Sequence, residues 1–152
     1  MKAIFLDVDG VLNYAGCPER TPHGFTGVDP GCVRLLHSII DPTGAVIILT
    51  STWQTCWKND VPDADGKYLV DKLAEEGLKI RDMTGRYALE DRALGIYEYL
   101  EKHKDIADWI VIDDEVYPGF EQYGILPHLV KTSYWSGGLK GEHVFKALDM
   151  LG

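Results

Sequence analysis

Cysteine, basic charge and long apolar runs are the scarce features of this chain. There are three cysteines, Cys17, Cys32 and Cys56. The count is odd, and it includes neither a CxxC pair nor a Cys/His spacing that holds zinc. This argues against a disulfide framework and a structural zinc site, and reduced thiols are expected. No stretch approaches the ~18 apolar residues of a membrane span, and the N-terminus lacks the basic and apolar regions of a secretory signal, so a cytoplasmic location is expected. Lysine and arginine number 15 against 24 acidic residues, a net charge of −9. Such a surface repels a nucleic-acid backbone at long range, which argues against non-specific duplex binding but permits a local pocket for one phosphate. Repeats, low-complexity tracts and linkers are also missing, so residues 1–152 are expected to form one domain.

What is present reads as an ordinary globular α/β chain, with 45% hydrophobic and 26% charged residues, outside the disordered range. Four apolar runs suggest strands: Ala3–Val8, Ala45–Thr50, Trp109–Asp113 and the shorter His128–Lys131. The first three are continuous rather than alternating, as in central strands covered on both faces. Helical patterns separate them. Asp29 and Pro30 form a cap and first-turn pair, followed by an apolar stripe from Val33 to Ile40 that ends before Pro42 and Gly44. Tyr68, Leu69, Leu73 and Leu78 suggest a second helix closed by Gly77. A third starts near Glu90 with Ala93, Leu94, Ile96, Tyr97 and Leu100, and a fourth holds Val144, Phe145, Leu148 and Leu151. Strands alternating with helices imply βαβ units and a three-layer, Rossmann-like parallel sheet with helices on both faces.

In such a sheet the active site lies beyond the carboxyl ends of the strands. Asp7 and Asp9 end the first strand, Thr50 and Ser51 the second, and Asp113 and Asp114 the third. All three ends share one edge, so these groups are expected to converge. Clustered carboxylates repel one another unless a cation sits among them, and oxygen donors of this kind suit Mg²⁺.

The stretch DVDGVLN resembles the first motif of the haloacid dehalogenase-like (HAD) phosphohydrolases, ILTS their second and VIDDE their fourth. The order is right and the resemblance covers essentially the whole chain. The closing SYWSGGL further resembles the small HAD domain of RNA-repair proteins. The resemblance implies a Mg²⁺-dependent phosphomonoester hydrolase with Asp7 as nucleophile, forming an aspartyl-phosphate, and Asp9 as general acid and base. It implies a metal held by Asp7, the Asp9 carbonyl and Asp114, with Asp113 helping. Thr50 and Ser51 would bind phosphoryl oxygens. Arg92, 21 residues before Asp113, would fill the basic third motif, where lysine is commoner; Arg86 and Lys79 compete for that role.

Family members choose substrates with cap insertions. Here the insertions are short: a flap at residues 14–28, and residues 53–80, which hold about one helix and a connection. No folded cap domain is expected, and an open site suits an extended substrate such as a nucleic-acid end or a nucleotide. Phosphoproteins or small metabolites are the alternative substrates, and a non-catalytic phosphate-binding module is the alternative class. Arg20 and His23 in the flap are placed to touch a phosphate. Trp53, Trp57 and Trp135 are candidates for stacking on bases, although such residues more often pack in a core.

Overall fold

The computed structural model describes residues 1–85 and 90–152. Strand β1 (Lys2–Leu6) leads to helix α1 (Pro30–Thr43) and strand β2 (Val46–Leu49). A small hairpin of β3 (Trp57–Lys58) and β4 (Val61–Pro62) precedes α2 (Ala64–Ala74) and β5 (Ile80–Met83). Then come α3 (Arg92–Lys102), β6 (Asp108–Asp113), β7 (Leu129–Lys131) and α4 (Gly141–Leu151). The main sheet is parallel with strand order β5-β2-β1-β6-β7, the expected α/β architecture.

The strands' alternation builds three layers. Ile4 and Leu6 of β1 join Leu36 and Ile39 of α1, Leu69 and Leu73 of α2, and Ala147 and Leu151 of α4 in one core. Ala3 and Phe5 point the other way, into a second core with Ala93, Ile96 and Tyr99 of α3 and with Phe120. Phe5 is fully buried and meets the edges of Tyr99 and Trp109 at 5.7 and 6.0 Å between ring centroids. Covered on both faces, β1 is apolar from Ala3 to Leu6, with the half-buried Lys2 at its amino end.

The helix signals act largely as read. Asp29 accepts from the Gly31 N–H at 2.7 Å, Pro30 fills the first turn, and Gly44 closes α1 with φ 68°. Pro42 does not stop the helix, which runs to Thr43. It falls in the last turn, where little helix remains to be broken, and the Thr43 hydroxyl caps the Ile39 carbonyl at 2.7 Å. Strand β5 and the β3–β4 hairpin are additions to the expected elements. β5 lies at the sheet edge with Arg81 and Asp82 exposed, so it has no apolar run to announce it.

The flap at residues 14–28 closes on itself through a bridge between Arg20 and Thr26. Among the described residues, neither the flap nor the hairpin reaches the size of a cap domain, and no helix is long and apolar enough to cross a membrane.

Candidate active site

The sheet's hydrogen bonds continue one residue past the strands and align their ends. Asp7 N–H donates to the Ile112 carbonyl at 3.1 Å, Thr50 to Leu6 at 2.9 Å, Thr84 to Leu49 at 3.1 Å and Thr132 to Asp113 at 3.0 Å. One edge therefore carries Asp7, Thr50, Thr84, Asp113 and Thr132, all buried.

Three carboxylates converge there. Asp7, Asp113 and Asp114 each offer an oxygen within 4.8 Å of the others. Gly10 makes the approach possible: with φ 83°, a Cβ on it would stand 2.2 Å from the Asp114 Oδ2. Burial pushes both the Asp7 and Asp113 carboxyls above the usual carboxylate range, and for Asp113 the charge of Asp7 adds to the rise. Arg92 opposes this, as does the Ser51 hydroxyl that donates to Asp7. An all-oxygen donor set this close, short of positive charge, fits a hard divalent cation and not zinc.

Asp9 departs from expectation. Four clustered carboxylates were expected, yet its side chain is not one of the three. The chain turns after Val8, whose carbonyl accepts from both Val11 and Leu12, and Asp9 faces outward. Its Oδ1 accepts from the Asn13 amide at 2.8 Å and from the Trp53 indole N–H at 3.1 Å. Two acids two residues apart thus occupy different surroundings, one buried beside Arg92 and one exposed on two neutral donors.

Among the described residues, Arg92 is the basic side chain that reaches the cluster. Its guanidinium is buried, 2.6 Å from Asp113, 3.8 Å from Asp7 and 4.6 Å above the centre of the Tyr117 ring. Lys79 is exposed just before β5 and lines a separate cleft with Lys58 and Arg81. Arg86 lies outside the described residues. Thr50 and Ser51 are both buried at the site. The Thr50 hydroxyl accepts from Thr84 at 3.2 Å, Thr84 accepts from the Gln54 amide at 3.2 Å, and Gln54 in turn accepts from the Gly85 N–H at 3.0 Å.

Both flap residues named for a phosphate have partners within the fold, and His23 also lines a cleft beside Asp9. Arg20 donates to the carbonyls of Cys17 and Glu19, both at 2.8 Å, and His23 pairs with Asp65 at 3.1 Å. Asp65, in the first turn of α2, also accepts from the Thr21 hydroxyl and so ties the flap down. Trp53 is 8% exposed and packs mostly into the core, with the remainder lining a cleft beside Asp9. Trp135 is 84% exposed, edge-on to Tyr134. The loop that carries these two aromatics zips onto the turn after β1: Leu139 donates to Val11 and Ala15 to Tyr134, both at 2.9 Å. A cleft of about 620 Å³ opens beside Asp9, lined by Trp53, Phe25, Tyr134, Asp63 and Thr52 among others.

Asn13, Gln54, Thr84 and Tyr117 are site neighbours that motif reading passes over. Asn13 alone had a local signal, as the last residue of the stretch DVDGVLN.

A family model described as the HAD domain in Swiss Army Knife RNA repair proteins matches residues 3–144. No curated protein and no solved structure matches the chain.

Proposed function

The chain belongs to the family of HAD domains found in Swiss Army Knife RNA repair proteins, and from that premise we propose that it is a Mg²⁺-dependent phosphomonoester hydrolase acting on phosphorylated nucleic-acid ends through an aspartyl-phosphate on Asp7. The observation that carries the reading is the division of labour among the acids. Asp7, Asp113 and Asp114 converge within 4.8 Å, while Asp9 is held apart on its own donors.

Asp7 would attack phosphorus through one carboxylate oxygen. The Val8 N–H, 2.8 Å from Oδ1, and the Ser51 hydroxyl hold the carboxylate in place. Asp9 would protonate the departing oxygen as the P–O bond breaks. It would then take a proton from the water that cleaves the acyl-phosphate, returning Asp7 as a carboxylate. The Thr50 hydroxyl and the Ser51 N–H would hold phosphoryl oxygens, and Arg92 would offset charge that builds between phosphate and carboxylate. The Asp7, Asp113 and Asp114 carboxylates, with the Asp9 carbonyl, would hold Mg²⁺, whose charge screens the nucleophile from the phosphate dianion.

The substrate follows from openness at the site and from the family. With no folded cap among the described residues, a chain end can present its terminal phosphate from solvent, and the cleft beside Asp9 leaves room for the group that carries it. The test is a panel of 5′- and 3′-phosphorylated oligonucleotides, mononucleotides, sugar phosphates and phosphopeptides, assayed with Mg²⁺ and with EDTA. Phosphate release from oligonucleotide ends, lost in EDTA and restored by Mg²⁺, is the expected result. Full activity in EDTA would overturn the mechanism, and faster release from phosphopeptides or sugar phosphates would overturn the substrate.

A further inference from the structure

Two N–H donors meet on a single oxygen of Asp9, and neither is free to swing. Asn13 donates to Oδ1 at 2.8 Å and also to the Gly27 carbonyl at 2.9 Å, while its own Oδ1 accepts from Gly10 at 3.0 Å. Trp53 donates to the same Asp9 Oδ1 at 3.1 Å from 44 residues along the chain. Its ring is packed in the core and its backbone N–H is bound to the Ser51 hydroxyl at 3.2 Å.

We infer that Trp53 is a positioning residue for proton transfer by Asp9: its indole N–H, together with Asn13, fixes the carboxyl so that Oδ2 carries the proton to the leaving group. The inference rests on the phosphatase reading of the site. An exposed aspartate otherwise samples several rotamers, and a general acid must sit within hydrogen-bond reach of the oxygen it protonates. The indole suits the task because it donates only. It has no lone pair to accept the transferred proton and adds no charge beside the phosphate. Trp53 also sits in the short 3-10 turn Thr52–Cys56 that follows Thr50 and Ser51 directly. One segment therefore sets both the phosphate-binding end and the acid, and Trp53 forms a wall of the cleft on the Asp9 side.

The test is Trp53→Phe, which keeps a ring and removes the donor. Turnover of a simple alkyl phosphate, whose leaving group needs a proton, is compared with that of p-nitrophenyl phosphate. The expected loss in kcat on the alkyl phosphate is on the order of ten-fold, the scale of one hydrogen bond to a charged group, with KM little moved and a smaller loss on p-nitrophenyl phosphate. In an Asp9→Asn background the substitution should add little, since there is then no acid to position. Equal losses on both substrates, a rise in KM alone, or an undiminished loss in the Asp9→Asn background would each overturn the inference. A second measurement needs no turnover. Of the four tryptophan indole N–H resonances, Trp53's should move on Asp9→Ala, and an unmoved Trp53 signal overturns the contact itself. A wild type that hydrolyses no phosphomonoester overturns the phosphatase reading instead, whatever the resonance does.

Discussion

Replacing Arg92 by alanine should destabilise the fold, and by an amount that depends on pH and metal. The guanidinium is 5% exposed and lies 2.6 Å from Asp113 and 3.8 Å from Asp7. Removing it leaves two buried carboxyls without their cation, a loss of about 3–5 kcal/mol, against a total stability of roughly 5–15 kcal/mol for a domain. With a urea m-value of about 2 kcal/mol per molar, the unfolding midpoint should fall by roughly 2 M. The pH dependence has a definite sign. A carboxyl with a raised folded pKa contributes stability that is fully present below its unfolded value of about 3.9. That contribution is lost as pH rises through the folded value, which for Asp7 is about 6. Arg92 opposes the rise, so without it the deficit should be small at pH 5 and large at pH 8. Mg²⁺ should shrink the deficit by supplying charge to the same carboxylates. Urea unfolding at pH 5 and 8, with Mg²⁺ or EDTA, measures all of this. A loss at pH 8 in EDTA of under about 1 kcal/mol, the range of exposed ion pairs, or one that is the same at both pH values, would contradict this.

Three further outcomes follow from the same geometry. Asp9→Asn should lower turnover of alkyl phosphates by about 10²–10⁴-fold, yet leave Mg²⁺ affinity within a small factor, because the Asp9 side chain is outside the carboxylate cluster; calorimetric titration with Mg²⁺ checks the second half. Gly10→Ala should lower both thermal stability and Mg²⁺ affinity, since the new Cβ would stand 2.2 Å from the Asp114 carboxylate at a φ of 83°; a thermal melt with and without Mg²⁺ reads both. Trp135→Ala should cut kcat/KM on a phosphorylated oligonucleotide by roughly ten-fold, the scale of one base–aromatic stack, while p-nitrophenyl phosphate turnover stays put; parallel assays of the two substrates decide it.

The parts of this molecule legible in the sequence are those fixed by local pattern. A continuous apolar run that ends in a carboxylate, as at Leu6–Asp7 and Ile112–Asp113, marks both a buried strand and the edge where its chemistry sits. The Asp29–Pro30 start and Gly44 end of α1 are likewise local. Strand β5 was not legible, because an edge strand with exposed Arg81 and Asp82 lacks the run that burial on both faces demands. The site's supporting shell was hidden for another reason. Trp53 and Asp9 are 44 residues apart, as Thr84 and Thr50 are 34 apart, and each pair meets only because parallel strands bring their ends together. Sequence spacing offered three basic candidates for the cluster, and the fold brings Arg92 to it because α3 starts at this buried residue, beside the end of β6. Of the three tryptophans named as stacking candidates, Trp53 meets the site through its indole N–H on Asp9.

The most direct test of the account is where the phosphoryl group goes. An oligonucleotide with a radiolabelled terminal phosphate is mixed with Asp9→Asn protein and Mg²⁺, a variant that should form the acyl-phosphate slowly but hydrolyse it more slowly still. The reaction is quenched in acid and the protein is digested and mapped. The account predicts label on the peptide that holds Asp7, and none in an Asp7→Asn, Asp9→Asn double variant. Label on another residue, or sustained phosphate release by Asp7→Asn protein, would contradict it.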